Sequence, residues 1–238
     1  MTEWSCPDRD PEGPGALGSP TMTAARVPLL LASRSPARLA ILRAAGIEPT
    51  VVVSDVDEEA AVAAAREAYG ALEPADIALL LARAKCETVA VDTTDSTLVI
   101  GCDSLLELDG EVHGKPVDAA EAVARWTAMR GRSGILHTGH WLRDERDTDD
   151  EGTAATLGAT VSTTVHFADL SDLEIAAYVA TGEPLAAAGA FTIDGLGGAF
   201  VTGIEGDHHA VVGLSLPMLR DLLLEIGVDW FDLVATSG

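Results

Sequence analysis

Residues 98–116 read LVIGCDSLLELDGEVHGKP, and this stretch decides the fold. Two apolar runs, interrupted by Asp103 and closed by an Asp-Gly turn, predict buried strands joined by a hairpin. A carboxylate inside a buried strand is costly unless another group compensates its charge. A metal ion, or Lys115 returned by the hairpin, would supply that compensation. Asp103 is therefore the first candidate for a functional residue.

The composition favours a folded α/β or α+β protein. Of the 238 residues, 47% are hydrophobic and 4% are aromatic, which excludes global disorder. No apolar stretch is long enough to cross a membrane, and the acidic residues near the start do not fit a secretory leader. The three cysteines have no metal-binding spacing, so we expect a protein of the reducing cytoplasm.

The net charge of −23 argues against a nucleic-acid polymer as partner, because such proteins normally carry a basic patch. The acid excess is interpreted as charge that keeps the protein in solution. The sequence contains two lysines, Lys85 and Lys115. A ligand that carries phosphates would need local positive charge in so acidic a chain, which makes these two lysines candidates for its site.

The chain divides into a short extension and one domain. Residues 1–26 are rich in Pro, Gly, Asp and Ser, which predicts a disordered N-terminal extension. Residues 27–238 alternate strand-like and helix-like segments, and several neighbouring strands are joined by hairpins, which predicts one α/β domain with a mixed sheet. The charged segment 143–152 is interpreted as a solvated hairpin tip. Residues 189–198 are interpreted as a glycine-punctuated strand and loop.

The segment 31–38, LASRSPAR, is a candidate anion site. A strand ends here and a helix begins, with Ser35 suited to the N-cap position. Free backbone N–H groups and the helix dipole favour an anion at such a point. Ser33 adds a hydroxyl group, and Arg34 and Arg38 add positive charge. An ordinary N-cap with surface arginines explains the same residues.

Two further patterns suit the same chemistry. The acidic turn at Asp55, Asp57 and Glu58 offers the oxygen ligands that Mg²⁺ takes, although such turns are more often solvent-exposed charge. Asp103 and Lys115 fit a functional pair, and they fit a buried structural ion pair as well. The residues alone leave both alternatives open.

The order of these segments along the chain narrows the choice. LASRSPAR, DVDE, LARAK, GCDS with GKP, HTG and FTIDGLGG follow one another. This series resembles the Maf family of nucleoside triphosphate pyrophosphatases over roughly residues 29–227. The resemblance implies an α/β fold with a Maf/ITPase-like mixed twisted sheet flanked by helices, and two lobes around a central cleft. It also suggests a homodimer.

The resemblance implies roles for individual residues. Asp103 is the proton acceptor and, together with Glu58, holds a divalent metal cation, Mg²⁺ or Mn²⁺. The residues assigned to the phosphates are Ser33, Arg34, Ser35, Arg38, Lys85 and Lys115. Three positions that sort substrates depart from the common pattern, with Ala37 in place of an arginine, Ser104 in place of a threonine and Asp194 in place of a glutamine. The preferred nucleobase therefore stays open.

The activity that the resemblance implies is metal-dependent hydrolysis of nucleoside triphosphates, canonical or modified, to monophosphate and pyrophosphate, as a housecleaning reaction of the nucleotide pool. One alternative is a nucleotide-binding regulator of septation or cell division whose hydrolysis is incidental. Another is a phosphatase that releases orthophosphate. The presence of Asp103, Glu58 and both lysines favours an enzyme, because a protein that only binds nucleotide does not need the carboxylate pair.

Overall fold

The structure is a computed structural model, and it describes residues 22–23, 27–93, 96–234 and 236–237. Its strands are β1 (Met22–Thr23), β2 (Leu29–Ala32), β3 (Thr50–Val52), β4 (Leu98–Leu108), β5 (Glu111–His113), β6 (Ser133–Asp144), β7 (Thr156–Phe167), β8 (Val201–Glu205) and β9 (Thr236–Ser237). Its helices are α1 (Pro36–Ala44), α2 (Glu58–Tyr69), α3 (Pro74–Ala90), α4 (Ala119–Met129), α5 (Asp172–Ala180), α6 (Glu183–Ala186), α7 (His208–Val212) and α8 (Leu216–Glu225).

Seven strands form one mixed sheet, as the hairpins and crossovers of the sequence predict. The strand order is β3-β2-β4-β6-β7-β8, and β5 pairs with β4 beside this path. Strand β2 runs parallel to both β3 and β4, whereas the pairs β4–β6, β6–β7 and β7–β8 are antiparallel. Helices cover both faces, so the predicted fold, a mixed sheet flanked by helices, is confirmed.

The edge of β4 that faces β2 is only partly paired. Strand β2 pairs with residues 98–101 of β4, and β5 pairs with residues 106–108. Among the described strands, none lies beside residues 102–105 on that edge, since β2 has already turned away into α1. This open interval contains Asp103.

Helix α3 crosses one face of the sheet at very short range, which two glycines make possible. A Cβ atom on Gly101 would lie 2.4 Å from the carbonyl oxygen of Ala82, and one on Gly139 would lie 2.3 Å from that of Ala78. Both contacts are with helix backbone, which cannot move aside as a flexible side chain can. The close approach of α3 brings Lys85, on the same helix, over the middle of β4.

The apolar side chains of the two halves of β4 belong to different core clusters and pack against different helices. Among the described residues, Ile100 and Cys102 belong to one cluster with α1 and α8, while Leu106 and Leu108 belong to a second cluster with α4 and α5. On the opposite face, Val99 and Leu105 likewise fall in two different clusters. The boundary on both faces is the pair Asp103–Ser104, which we call the polar divide. It separates the molecule into two lobes, as the family resemblance implies.

Two segments differ from their sequence interpretation. The interpretation of residues 189–198 as containing a strand is wrong, because they form short 3-10 turns at Ala188–Ala190 and Leu196–Phe200. The carboxylate of Glu183 accepts hydrogen bonds from the backbone N–H groups of Leu196 and Gly197, and this stabilises a turn instead.

The base of the segment 143–152 is not solvated. The carboxylate of Asp144, whose side chain is fully buried, pairs with the Arg146 guanidinium at 2.8 Å and accepts two hydrogen bonds from Thr153. Burial alone would raise the pKa of Asp144, but these partners lower it to about 2. The tip beyond this pair, at Thr148–Asp150, is exposed as predicted.

The predicted extension, residues 1–26, lies outside the described residues apart from the two residues of β1, Met22–Thr23. Strand β1 pairs antiparallel with β9. Among the residues that the structure describes, no helix combines the length and apolar character that crossing a bilayer requires.

Candidate functional site

The open interval of β4 holds a buried carboxylate that contacts a lysine. Asp103 is 6% exposed, and its Oδ1 atom accepts a hydrogen bond from Nζ of Lys85. The same ammonium lies 2.8 Å from Oε1 of Glu58, at the start of α2. One cation thus joins the two carboxylates that the sequence assigns to a metal. The lysine in contact with Asp103 is Lys85, from a helix, and not Lys115, which the sequence offered as one alternative to a metal ion.

The environment of Asp103 favours its protonated form more than water does. Burial raises the pKa of this carboxyl group, while the charges of Lys85 and Arg38 oppose the rise. Its second oxygen, Oδ2, is buried and has no hydrogen-bond partner among the described residues. A carboxylate that keeps an unused acceptor oxygen is suited to take a proton from a bound molecule.

The two carboxylates fit a divalent cation. They already share one positive charge, that of Lys85, which contacts an oxygen of each. Within the described part of the chain, no group of three or more His, Cys, Asp or Glu side chains forms a complete metal site. Magnesium usually takes one or two protein carboxylates and completes its shell with water and phosphate oxygens, so a pair is the expected number.

The loop between β2 and α1 presents two hydroxyl groups as donors. Oγ of Ser33 accepts hydrogen bonds from Ser35 N at 3.1 Å and from Arg38 Nη1 at 3.2 Å. A hydroxyl group has two lone pairs and one proton, so Ser33 keeps its proton for another acceptor. Ser35 is the N-cap of α1, as predicted, because its Oγ accepts from Arg38 N at 3.4 Å. Its proton is likewise free, and the loop suits an anion.

Arg38 is held in one orientation by three hydrogen bonds. Its Nε donates to the carbonyl oxygen of Gly213 at 2.7 Å, and its terminal nitrogens donate to Ser33 and Ser104, each at 3.2 Å. A guanidinium group has five N–H donors, so two remain for a ligand. The side chain is buried, which places a fixed positive charge beside the open interval of β4.

Two predicted phosphate ligands lie outside this cluster. Arg34 is on the surface and forms a 3.5 Å ion pair with Asp55, in which both side chains are largely exposed. Lys115 is exposed and makes no ion pair with the described residues. The chain before it is anchored, because the carbonyl oxygen of Gly114 accepts from Arg125 Nη1 at 2.5 Å and from Gly189 N at 3.0 Å.

The three predicted specificity positions fall at two places. Ser104 lies on the polar divide and accepts a hydrogen bond from Arg38. Ala37 and Asp194 come from distant parts of the chain and line one depression of about 300 Å³, together with His208 and His209. Ala37 is in the first turn of α1, so the depression reaches the end of the β2–α1 loop, which we call the anion loop.

Sequence reasoning missed the residues behind Arg38. Thr138 is fully buried, and its hydroxyl group lies 2.9 Å from Ser104 Oγ. His140, also fully buried, accepts a hydrogen bond from Ser215 N at 2.8 Å. Both lie on β6, and the HTG motif that contains Thr138 is the signal that could have indicated it. Cys102 points away from Asp103 into the core, and burial raises the pKa of its thiol to about 12.

Comparison with known proteins agrees with this arrangement. The family model described as "Maf-like protein" matches residues 28–226, which include every site residue described above. The chain belongs to the Maf family. The resemblance drawn from the motifs is thereby confirmed.

Several relatives of this Maf-family chain are more than 50% identical to it, and they carry the name nucleoside triphosphate pyrophosphatase. The protein from Leifsonia xyli subsp. xyli is 54% identical over 213 residues, covering 88% of this chain and 98% of its own length. The protein from Salinispora tropica is 57% identical over 204 residues, covering 84% of each. A solved nucleoside-triphosphatase / dITP/XTP pyrophosphatase from Mycobacterium abscessus covers 84% of this chain and 95% of its own, at 18% identity and TM-score 0.33, a similarity too weak to carry an inference.

Proposed function

We propose that this protein is a nucleoside triphosphate pyrophosphatase, which hydrolyses the bond between the α- and β-phosphates to give a monophosphate and pyrophosphate. The observation that carries the proposal is the buried Asp103 carboxylate, paired with Lys85 and with one oxygen unused, in the open interval of β4. The similar proteins of Leifsonia and Salinispora carry this activity in their names. The site supplies what the reaction needs, namely a proton acceptor beside an anion-binding loop.

Asp103 would act as the general base. Its Oδ2 atom accepts the proton of the water molecule that attacks the α-phosphorus. The raised pKa of this carboxyl group makes it a better proton acceptor than an exposed aspartate. The positive charge of Lys85 opposes the rise in the pKa of Asp103 and so favours the ionised form that can accept a proton.

The triphosphate would lie against the β2–α1 loop. Ser33 and Ser35 donate hydroxyl protons, and Arg38 donates its two remaining N–H groups to phosphate oxygens. These donors are fixed before substrate binds, so the charge that develops on the departing pyrophosphate meets an oriented environment. Lys115, exposed and without an ion pair among the described residues, is free to move towards the outer phosphates.

Glu58 and Asp103 would hold the divalent cation, Mg²⁺ or Mn²⁺. When bound, it neutralises phosphate charge and makes water a better nucleophile. Lys85 then has to give up at least part of its contact with the carboxylates, and a phosphate oxygen is its natural new partner.

The test is product identification with canonical and modified triphosphates in ¹⁸O-labelled water, with Mg²⁺, with Mn²⁺ and with chelator. We expect monophosphate and pyrophosphate, with the label in the monophosphate, because attack at the α-phosphorus leaves the solvent oxygen there. Asp103→Asn should lose turnover by at least about a hundredfold. Glu107→Gln is the matched control, because Glu107 is on the same face of β4 but contacts His137.

Other products would favour the rivals. Orthophosphate as the first product would identify a phosphatase, and saturable binding without turnover would favour the regulator. A label found in pyrophosphate would mean attack at the β-phosphorus and would contradict the role given to Asp103.

The same proposal includes a cytoplasmic location and a homodimer. Two of the three cysteines, Cys86 and Cys102, are described, and both are free and buried, which suits a reducing compartment. Light scattering during size-exclusion chromatography tests the dimer, and a mass near 24.6 kDa would show a monomer.

A further inference from the structure

Behind the anion loop, a chain of hydrogen bonds runs from Arg38 into the core. We propose that Thr138, which does not touch the cleft, is a positioning residue that fixes the guanidinium group of Arg38 through Ser104. The proposal rests on the function assigned to Arg38 above. It gives a role to the HTG motif, which the reaction itself does not use.

The direction of this chain follows from counting protons. The hydroxyl group of Thr138 donates to the carbonyl oxygen of Ala210 at 2.8 Å, in α7. A hydroxyl group has a single proton, so in its 2.9 Å contact with Ser104 it is Thr138 that accepts. Ser104 therefore donates, and its oxygen lone pairs face Arg38 Nη2, which donates to them at 3.2 Å. The order is Arg38 to Ser104 to Thr138 to Ala210.

This order matters because Ser104 could otherwise turn. Without an acceptor at position 138, the hydroxyl proton of Ser104 is free to point at Arg38, where two donors would face each other. Arg38 would then lose one of the three partners that define the plane of its guanidinium group. Thr138 is fully buried, so no water replaces its hydroxyl group at low cost.

The inference also explains why a hydroxyl residue suits position 104. Ser104 is on the polar divide, between the apolar side chains of Cys102 and Leu106 on the same face of β4. A polar group at such a place needs partners on both sides. Arg38 and Thr138 are those partners, so Ser104 relays orientation between the core and the anion loop.

The test compares Thr138→Val, which keeps the shape and removes the hydroxyl group, with Thr138→Ser, which restores it. We expect Thr138→Val to lower kcat/KM by about tenfold, and Thr138→Ser to stay within about twofold of the parent protein. The matched control is Thr163→Val. Thr163 is equally buried and bonds to the backbone of Asp207, but it has no contact with Arg38 or Ser104.

Double variants separate positioning from general damage to the fold. In a Ser104→Ala background the series of hydrogen bonds from Arg38 to Thr138 is already interrupted, so Thr138→Val should lower kcat/KM no further. The proposal would be overturned if the reductions of kcat/KM in the two single variants multiplied in the double variant. It would also be overturned if kcat/KM were unchanged in Thr138→Val, or if Thr163→Val lost as much.

A readout that needs no turnover keeps this proposal distinct from the proposed function. In protein with ¹⁵N-labelled arginine, the Nε–H signal of Arg38 should shift or broaden in Thr138→Val and stay in place in Thr163→Val. If the parent protein fails to hydrolyse triphosphates but the signal responds as expected, the function is wrong and the positioning role stands. If the Nε–H signal of Arg38 is unchanged in Thr138→Val, the positioning role is refuted, whether or not the protein hydrolyses triphosphates.

Discussion

Replacing Lys85 with methionine tests the electrostatic centre of the site. Methionine keeps an unbranched side chain of similar length, so the packing of α3 against the sheet changes little. The ammonium group is lost, and Asp103 remains buried without a positive partner in contact. Glu58 is affected far less, because half of its side chain is exposed to water.

The size of the effect follows from burial. The side chains of Lys85 and Asp103 are 14% and 9% exposed, so solvent screens their interaction only weakly. Removing one partner of a buried ion pair costs roughly 3–5 kcal/mol of unfolding free energy, because it leaves an uncompensated charge. For a chain of this length each kcal/mol shifts Tm by about 2–4 °C, so the expected drop is roughly 6–20 °C.

Asp103→Asn completes a double-mutant cycle with Lys85→Met, because it removes the buried negative charge itself. Asp103→Asn leaves Lys85 with Glu58, and we expect a loss of only about 1 kcal/mol. The double variant, Lys85→Met with Asp103→Asn, has no buried charge at this point, so it should recover most of the stability that Lys85→Met loses. It should not recover activity, because the proposed general base is absent.

Thermal unfolding followed by circular dichroism at pH 5 and pH 8 measures the cycle. Loss of Lys85 raises the pKa of Asp103 further above its value in the unfolded chain. A group whose pKa is raised by folding destabilises the protein as pH rises through that pKa, so the deficit of Lys85→Met should be larger at pH 8 than at pH 5. A double variant no more stable than Lys85→Met, or a deficit that does not change with pH, would refute the reasoning.

Three other changes test separate parts of the structure. Gly139→Ala should lower the free energy of unfolding by several kcal/mol and lower activity, since its Cβ would lie 2.3 Å from a backbone oxygen of α3. Thermal unfolding measures the first effect and kcat/KM the second. An unchanged Tm would contradict the close approach of α3. Burial and the charge of Arg38 lower the pKa of His140 to about 4. As pH falls, His140 therefore binds a proton in the unfolded chain before it does so in the folded protein. The free energy of unfolding should fall by up to about 3 kcal/mol between pH 6.5 and 4. His140→Gln should lack that part of the acid sensitivity, and urea unfolding of both proteins across this range measures the difference. Lys115→Ala should raise KM several-fold with little change in Tm, because its side chain is exposed; an unchanged KM would remove it from the phosphate site.

Local sequence patterns were sufficient to predict much of the fold. The N-cap at Ser35 depends on residues three positions apart, and it is present. The run around Asp103 forms one strand followed by a hairpin, as its apolar residues and its Asp-Gly turn indicate. These features need no knowledge of how distant segments meet.

The contacts between distant segments were beyond such patterns. The sequence suggested Lys115 as the lysine beside Asp103, whereas the contact with Lys85 depends on how closely α3 crosses the sheet at Gly101 and Gly139. The strand expected at 189–198 fails for the same reason, because the carboxylate that holds this segment comes from Glu183. The role of Thr138 depends on a carbonyl group in α7, 72 positions further along the chain.

The polar divide also bears on how the two lobes move. Strands β4, β6 and β7 each run past the divide without a break, so the two lobes share a hydrogen-bonded sheet. Large hinge rotations in proteins take place where a few loop or terminal residues absorb the change in backbone angles, and these three strands contain no such loop at the divide. Movement of one lobe against the other therefore has to bend this sheet. The side chains of Lys115 and Asp194 are exposed and lie outside the sheet, so they can move without bending it.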